Sequence, residues 1–229
     1  MTVEARSRGD LVKAACSRLA AGVLILWAVF FLPAGTLAYW EAWAYSAVII
    51  VPMLFAFAYL LRHSPELLER RLRMKEKEPR QRRIVAISYP FYVLAFMLPG
   101  LDRRFDWSSV PVAAVLGADV LVMIGYGVIF LALRENSHAS RIVEVEPGQK
   151  VVTSGPYAVV RHPLYLGVLL MHICTPPALG SWWAMIPALL IVPVLVARIG
   201  HEESLLERDL EGYREYRART RYRLVPGLW

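Results

Sequence analysis

Residues 163–197 read PLYLGVLLMHICTPPALGSWWAMIPALLIVPVLVA, 35 consecutive positions without Asp, Glu, Lys or Arg. At about 1.5 Å per helical residue, that run is too long for a single crossing of a ~30 Å hydrocarbon core. Near its middle stand Pro176-Pro177 and Gly180-Ser181, residues that interrupt helices and favour turns. The run predicts a tight hairpin of two membrane helices. Four further charge-poor blocks precede it. Leu19–Trp40 is uncharged for 22 residues, Ala42–Leu61 for 20 and Ile84–Leu101 for 18. Trp107–Leu133 extends over 27 residues with Asp119 as its one charge. Each block has the length of one span.

The expected fold class is therefore all-α, a polytopic membrane helix bundle with about six spans, the last two forming a helical hairpin. A C-terminal amphipathic cytoplasmic helix completes it, because Leu205, Leu206, Leu210, Tyr213 and Tyr216 recur at roughly helical spacing among charged residues. Composition agrees. The 229 residues are 57% hydrophobic, against the 45–50% usual for soluble domains, and mean hydropathy is +0.42. The first block shows no obvious small-x-small cleavage site, has more spans behind it, and is read as a retained span, not a signal peptide. Cys16 and Cys174 suit neither a disulfide framework nor a metal site. His138, His172 and His201 lack metal-ligand spacing, so no metal centre is expected.

A net charge of +7 would suit nucleic acid if it were spread over one surface, but its distribution argues otherwise. Every Lys and Arg except Arg103 and Arg104 falls before the first span or within Arg62–Arg83, Arg134–Arg161 and Arg198–Arg223. With six crossings those four segments share one side, and an excess of positive residues marks the cytoplasmic side. Both termini and the candidate site are expected there. The membrane would be the plasma membrane if the source is bacterial, which the Arg-, Ala- and Val-rich composition suits. Anionic lipid headgroups then account for the charge, and no nucleic-acid partner is expected. The chain divides into N-terminal spans, 1–133, and a C-terminal functional region, 134–229. Within the first, Arg62–Arg83 is read as a solvated linker, with an interfacial helix as the alternative. Asp119, costly in mid-membrane, is expected to make a structural polar contact with a tyrosine or His172. Trp182-Trp183 is expected to join an aromatic belt.

Residues 155–167, GPYAVVRHPLYLG, put two tyrosines, an arginine and a histidine where a loop enters the hairpin. Pro163 suits a first helical turn, and the free amides of a helix start suit an anionic group. A second cluster, Arg198, Glu202 and Glu203, stands where the returning helix reaches the same side. Arg198 and Glu202, four apart, share one helix face. Membrane anchoring and a surface ion pair are the plain readings of the two clusters taken singly. Their convergence at membrane level favours function.

The pattern Gly155-Pro156-Tyr157, His162-Pro163, Tyr165 and Gly167, preceded by Val151-Val152-Thr153-Ser154, resembles the isoprenylcysteine carboxyl methyltransferase family and its relatives among phospholipid methyltransferases. So do Glu202-Glu203-Ser204-Leu205-Leu206, Gly212-Tyr213-Arg214-Glu215-Tyr216 and Arg223-Leu224-Val225-Pro226. The resemblance covers roughly Asn136–Trp229. It implies S-adenosylmethionine as cofactor, held by Gln149, Lys150, Val151, Val152, Tyr157, His162, Pro163, Leu164, Tyr165 and Glu202, with Glu144 as a further contact. It implies Arg198 as the catalytic and substrate-binding residue facing an acceptor carboxylate. Where the family is more strongly acidic before the paired glutamates, this chain has Gly200-His201.

An ionised carboxylate needs no base, only alignment and a two-pronged guanidinium contact. An amine acceptor would need a base, for which Glu203 or His162 is the candidate. The expected partner is a lipophilic small molecule or lipidated substrate from the bilayer, with membrane lipids around it. Methylation of a phospholipid headgroup nitrogen is the second reading. A sterol-type reductase is the third, disfavoured because no basic cluster for a ribose phosphate is evident. A transporter is the fourth, disfavoured by the lack of internal repeats.

Overall fold

The computed structural model describes residues 8–72, 79–139, 145 and 148–229. Glu144 lies outside the described residues. Eight α-helices are found among those described. They are α1 (Arg8–Ala34), α2 (Trp40–His63), α3 (Pro65–Leu72), α4 (Pro79–Phe105), α5 (Val112–Glu135), α6 (Pro163–Ala178), α7 (Met185–Asp209) and α8 (Tyr213–Arg219). Proline opens α3, α4 and α6, where its fixed φ suits a first turn and its missing N–H costs nothing.

Five helices, α1, α2, α4, α5 and α7, are long and apolar enough to span a bilayer, which makes the chain a multi-pass integral membrane protein. The expectation of about six spans differs in one element. The first arm of the hairpin, α6, has only 16 residues, about 24 Å of helix. It nevertheless joins the two ends of the bundle. His162 precedes it at one end, and at the other the Leu179 carbonyl accepts a hydrogen bond from Tyr39 at 2.6 Å.

The α6 helix is clamped to α5 by a glycine pair. A Cβ on Gly167 would lie 2.5 Å from the Gly125 carbonyl oxygen, and one on Gly125 would lie 2.8 Å from that of Gly167. Only glycine at both positions lets the backbones meet. This contact fixes the start of α6 against the middle of α5, and with it the site.

The connections sort into two ends. At one, Asp102 accepts hydrogen bonds from Ser108 Oγ at 2.6 Å and Ser181 Oγ at 2.5 Å, and Arg103 donates to the Ala38 carbonyl at 3.2 Å. Trp40, Trp43, Trp107, Trp182 and Trp183 are exposed at this end, the arrangement of an interfacial aromatic belt. At the other end Arg70 donates to the Ser137 carbonyl at 2.8 Å, and Gln81 Nε2 to the Arg198 carbonyl at 3.2 Å. The described parts of 62–83, 134–161 and 198–223 therefore gather at one end, opposite Arg103 and Arg104.

Three expectations are corrected. Part of Arg62–Arg83 is the packed helix α3, not a solvated linker, because Leu67 and Leu68 bury against Leu60, Leu133 and Ala139. The stretch from Leu205 to Tyr216 is not one amphipathic helix. It breaks after Asp209 and restarts as α8 behind Gly212, whose φ of +82° few other residues adopt. Asp119 is buried, but its Oδ1 has no hydrogen-bond partner, and neither does His172 Nε2. His172 instead meets the Tyr92 ring edge-on at 4.9 Å.

Candidate active site

The site is assembled where α5 ends, α6 begins and α7 leaves the apolar region. Pro163 forces the residue before it out of helical geometry, so His162 stands at the helix entrance with φ −124° and faces α7. Its Nε2 lies 3.2 Å from Glu203 Oε1. Arg161, one residue earlier, donates to the same oxygen from Nε at 2.6 Å. Arg223 donates to the other oxygen, Oε2, at 2.7 Å. Glu203 is 3% exposed, and both its oxygens are committed.

Around this carboxylate the C-terminal segment is sewn onto the loop. Arg161 Nη1 donates to the carbonyls of Thr220 at 2.9 Å and Arg221 at 2.7 Å. The amides of Arg161 and His162 donate to the carbonyls of Tyr222 and Arg223 at 2.9 and 3.0 Å. The α8 helix is held similarly, with Tyr216 OH donating to the Tyr157 carbonyl at 2.8 Å.

One helical turn away, Arg198, Tyr165 and Glu202 form a directed chain. Arg198 Nε donates to the Tyr165 oxygen at 2.9 Å, and the Tyr165 hydroxyl donates to Glu202 Oε2 at 2.5 Å. The returning arm of the hairpin thus lies against the Tyr157–Tyr165 turn.

Beneath α8 is a cavity of about 290 Å³, near the lower end of small-molecule sites. Gln149, Lys150, Val151, Val152, Tyr157, His162, Pro163, Leu164, Tyr165 and Glu202 all line it. Arg198 reaches that lining through Tyr165. Glu203 does not line the cavity and braces its wall instead.

Asn136, Tyr213 and Tyr216 are among the lining residues not singled out for the site by sequence. Asn136 Nδ2 donates to Tyr157 OH at 3.2 Å, and no feature of the sequence around Asn136 signals that. Tyr213 and Tyr216 belong to the Gly212-Tyr213 run, which carried a resemblance but no role. Burial pushes the Tyr157 phenol up to about 12, against the opposing effect of the Asn136 hydrogen bond. The Tyr213 and Tyr216 phenols are also driven upward, chiefly by burial. All three are neutral at physiological pH, available as hydrogen-bond donors and π faces.

The Tyr213 hydroxyl is the informative atom. The residue is 4% exposed, lines the cavity, and its oxygen has no hydrogen-bond partner. A buried hydroxyl without a partner costs about 1–3 kcal/mol, which a polar ligand in this cavity would relieve. With the Glu202 carboxylate and the apolar Val151, Val152 and Leu206 sharing the lining, the donor set suits a ligand that is part apolar ring and part hydroxyl or amine.

Residues 118–208 match the isoprenylcysteine carboxyl methyltransferase (ICMT) family. No curated protein matches the chain. The matched segment runs from α5 to the last turn of α7 and holds Tyr157, His162, Tyr165, Arg198, Glu202 and Glu203. The α8 helix and the segment bearing Arg223 lie beyond it.

Proposed function

We propose that the protein is an S-adenosylmethionine-dependent methyltransferase acting on a lipophilic carboxylate at the cytoplasmic face of a membrane it crosses six times. The observation that carries this reading is the Arg198–Tyr165–Glu202 chain, which links a guanidinium outside the cavity to a carboxylate inside it.

The ten lining residues named above would hold the cofactor, and the fit rests on Glu202 and on the unpartnered Tyr213 hydroxyl. When bound, S-adenosylmethionine supplies a methyl group on a positively charged sulfur. Glu202 accepts hydrogen bonds from hydroxyl or amino groups, while Tyr213 donates one. Tyr157 and Tyr165 offer ring faces to a nearby cation. Arg198 fixes the acceptor carboxylate in two-pronged fashion, and Tyr165 orients that guanidinium. Alignment of this kind supplies several kcal/mol without proton transfer.

An amine acceptor is less well served. Glu203, the candidate base, has both oxygens engaged by Arg161, His162 and Arg223, and His162 Nε2 faces that same carboxylate. We assign Glu203 to positioning the pocket wall rather than to proton removal. The basic end of the bundle accounts for the cytoplasmic placement.

The test is transfer of isotopically labelled methyl from S-adenosylmethionine into a membrane lipid extract, read by mass spectrometry. Label is expected in a carboxyl ester, lost on mild alkaline hydrolysis. Arg198→Ala is expected to abolish transfer and to change S-adenosylhomocysteine affinity less than threefold. Alkali-stable label on a headgroup nitrogen would overturn the carboxylate assignment, and loss of cofactor binding in Arg198→Ala would overturn the role of Arg198.

A further inference from the structure

Beyond the cofactor cavity, a second and more open groove of about 470 Å³ lies on the outer side of the C-terminal segment. Arg161, Arg217, Arg221 and Arg223 line it, and no Asp or Glu side chain is among its described lining residues. Glu203 neutralises part of this charge but is shared between Arg161 and Arg223. Arg217 pairs with Glu207. The exposed Arg221 side chain makes no hydrogen bond or ion pair among the described residues. The groove is therefore cationic, with four guanidiniums against two paired carboxylates and the Arg221 guanidinium uncommitted.

Its apolar members fix its depth. The Trp229 ring carries the Arg223 guanidinium at 5.0 Å and packs beside Leu166, Leu169 and Leu195 of the α6–α7 hairpin. Those leucines belong to apolar helix, so Trp229 sits where α6 and α7 pass into the interfacial zone. Next to it Leu228 is 81% exposed, with Tyr222 and Val225 also exposed. Exposed apolar side chains beside the uncommitted Arg221 guanidinium suit neither water nor hydrocarbon alone. They suit the boundary, with Leu228 toward the acyl chains and the arginines at phosphate level.

We propose that this groove binds the headgroup of an anionic phospholipid from the adjoining leaflet, its phosphate held by Arg221 and Arg217. The proposal is independent of the reaction assigned above. Arg161 lines both the groove and the cofactor cavity, so the two share one wall.

The test is native mass spectrometry of the full-length protein released from mixed micelles holding equal amounts of phosphatidylglycerol and phosphatidylcholine. The wild type is expected to retain phosphatidylglycerol at least fivefold over phosphatidylcholine. Arg217→Ala/Arg221→Ala is expected to bring that ratio near one while keeping S-adenosylhomocysteine affinity, which shows the fold intact. Arg82→Ala/Arg83→Ala, which removes equal charge from α4, is expected to keep the preference. Equal retention of both lipids by the wild type would overturn the site, and so would an unchanged ratio in the groove variant. An equal loss in the α4 variant would replace it with diffuse surface charge. Displacement of the lipid by millimolar inorganic phosphate would make it a site for free phosphate.

Discussion

Removing the carboxylate of Glu203 tests how the pocket wall is held. In Glu203→Ala, Arg161 keeps a guanidinium whose side chain is 5% exposed and whose Nε has lost its acceptor at 2.6 Å. Leaving one partner of a buried pair uncompensated costs about 3–5 kcal/mol. Arg223, at 30% side-chain exposure, can turn to water and adds little. The protein can shed most of the cost by letting residues 220–229 swing away and Arg161 hydrate. The opening equilibrium of that segment should then rise by about a hundredfold, at ~1.4 kcal/mol per decade. Where reclosing is fast, cleavage rate follows the open population. Limited trypsin digestion, read by intact mass, should therefore cut at Arg221 and Arg223 about a hundredfold faster than in the wild type. Affinity for S-adenosylhomocysteine should fall at least tenfold. Glu203→Gln, which keeps an acceptor but not the charge, should be intermediate in both. A cleavage rate for Glu203→Ala within threefold of wild type would refute the bracing role. If Glu203→Gln kept cleavage and affinity at wild-type values and lost turnover a thousandfold, Glu203 would be the proton acceptor instead.

The unpartnered Tyr213 hydroxyl predicts effects of opposite sign. Tyr213→Phe should leave the ligand-free protein unchanged or stabilised by up to about 1 kcal/mol, since a buried unsatisfied group is lost. The same variant should bind S-adenosylhomocysteine about three- to tenfold more weakly, and thermal shift with and without ligand reads both. Gly167→Ala would bring a Cβ to 2.5 Å from the Gly125 carbonyl oxygen and 2.6 Å from Ile129 Cγ1. Forced separation of α5 and α6 should cost at least 1–3 kcal/mol, seen as a Tm drop of several degrees with weakened cofactor binding. Asn136→Ala should leave the fold in place and weaken S-adenosylhomocysteine binding only a few-fold in titration calorimetry, because Tyr157 stays packed by Tyr216.

The hairpin was legible because an uncharged run of 35 residues leaves few alternatives once Pro176-Pro177 and Gly180 mark its turn. The cavity lining was legible because Tyr157, His162-Pro163 and Tyr165 crowd one helix entrance. The bracing system was not. Arg161, Glu203 and Arg223 are separated by 42 and 20 positions, and each taken alone reads as a surface charge. Periodicity also misled at Leu210–Tyr213, since apolar spacing continues across a break where Leu210 turns extended and Gly212 takes a positive φ. Leu67 and Leu68 were hidden for a related reason, being two apolar residues inside a charged stretch with no period to expose them. The length of α6 followed a different rule, because its packing on α5 through Gly125 and Gly167, rather than bilayer thickness, fixes where it lies.

The central claim is that the cavity between the α6 entrance and the end of α7 binds the methyl donor through Glu202. Titration calorimetry of the purified protein with S-adenosylhomocysteine measures that directly. One site per chain is expected. Glu202→Ala should be weakened by at least tenfold, the loss of a charge-assisted hydrogen bond of about 1.5–3 kcal/mol. No heat with the wild type, or equal affinity in the two proteins, would contradict the account.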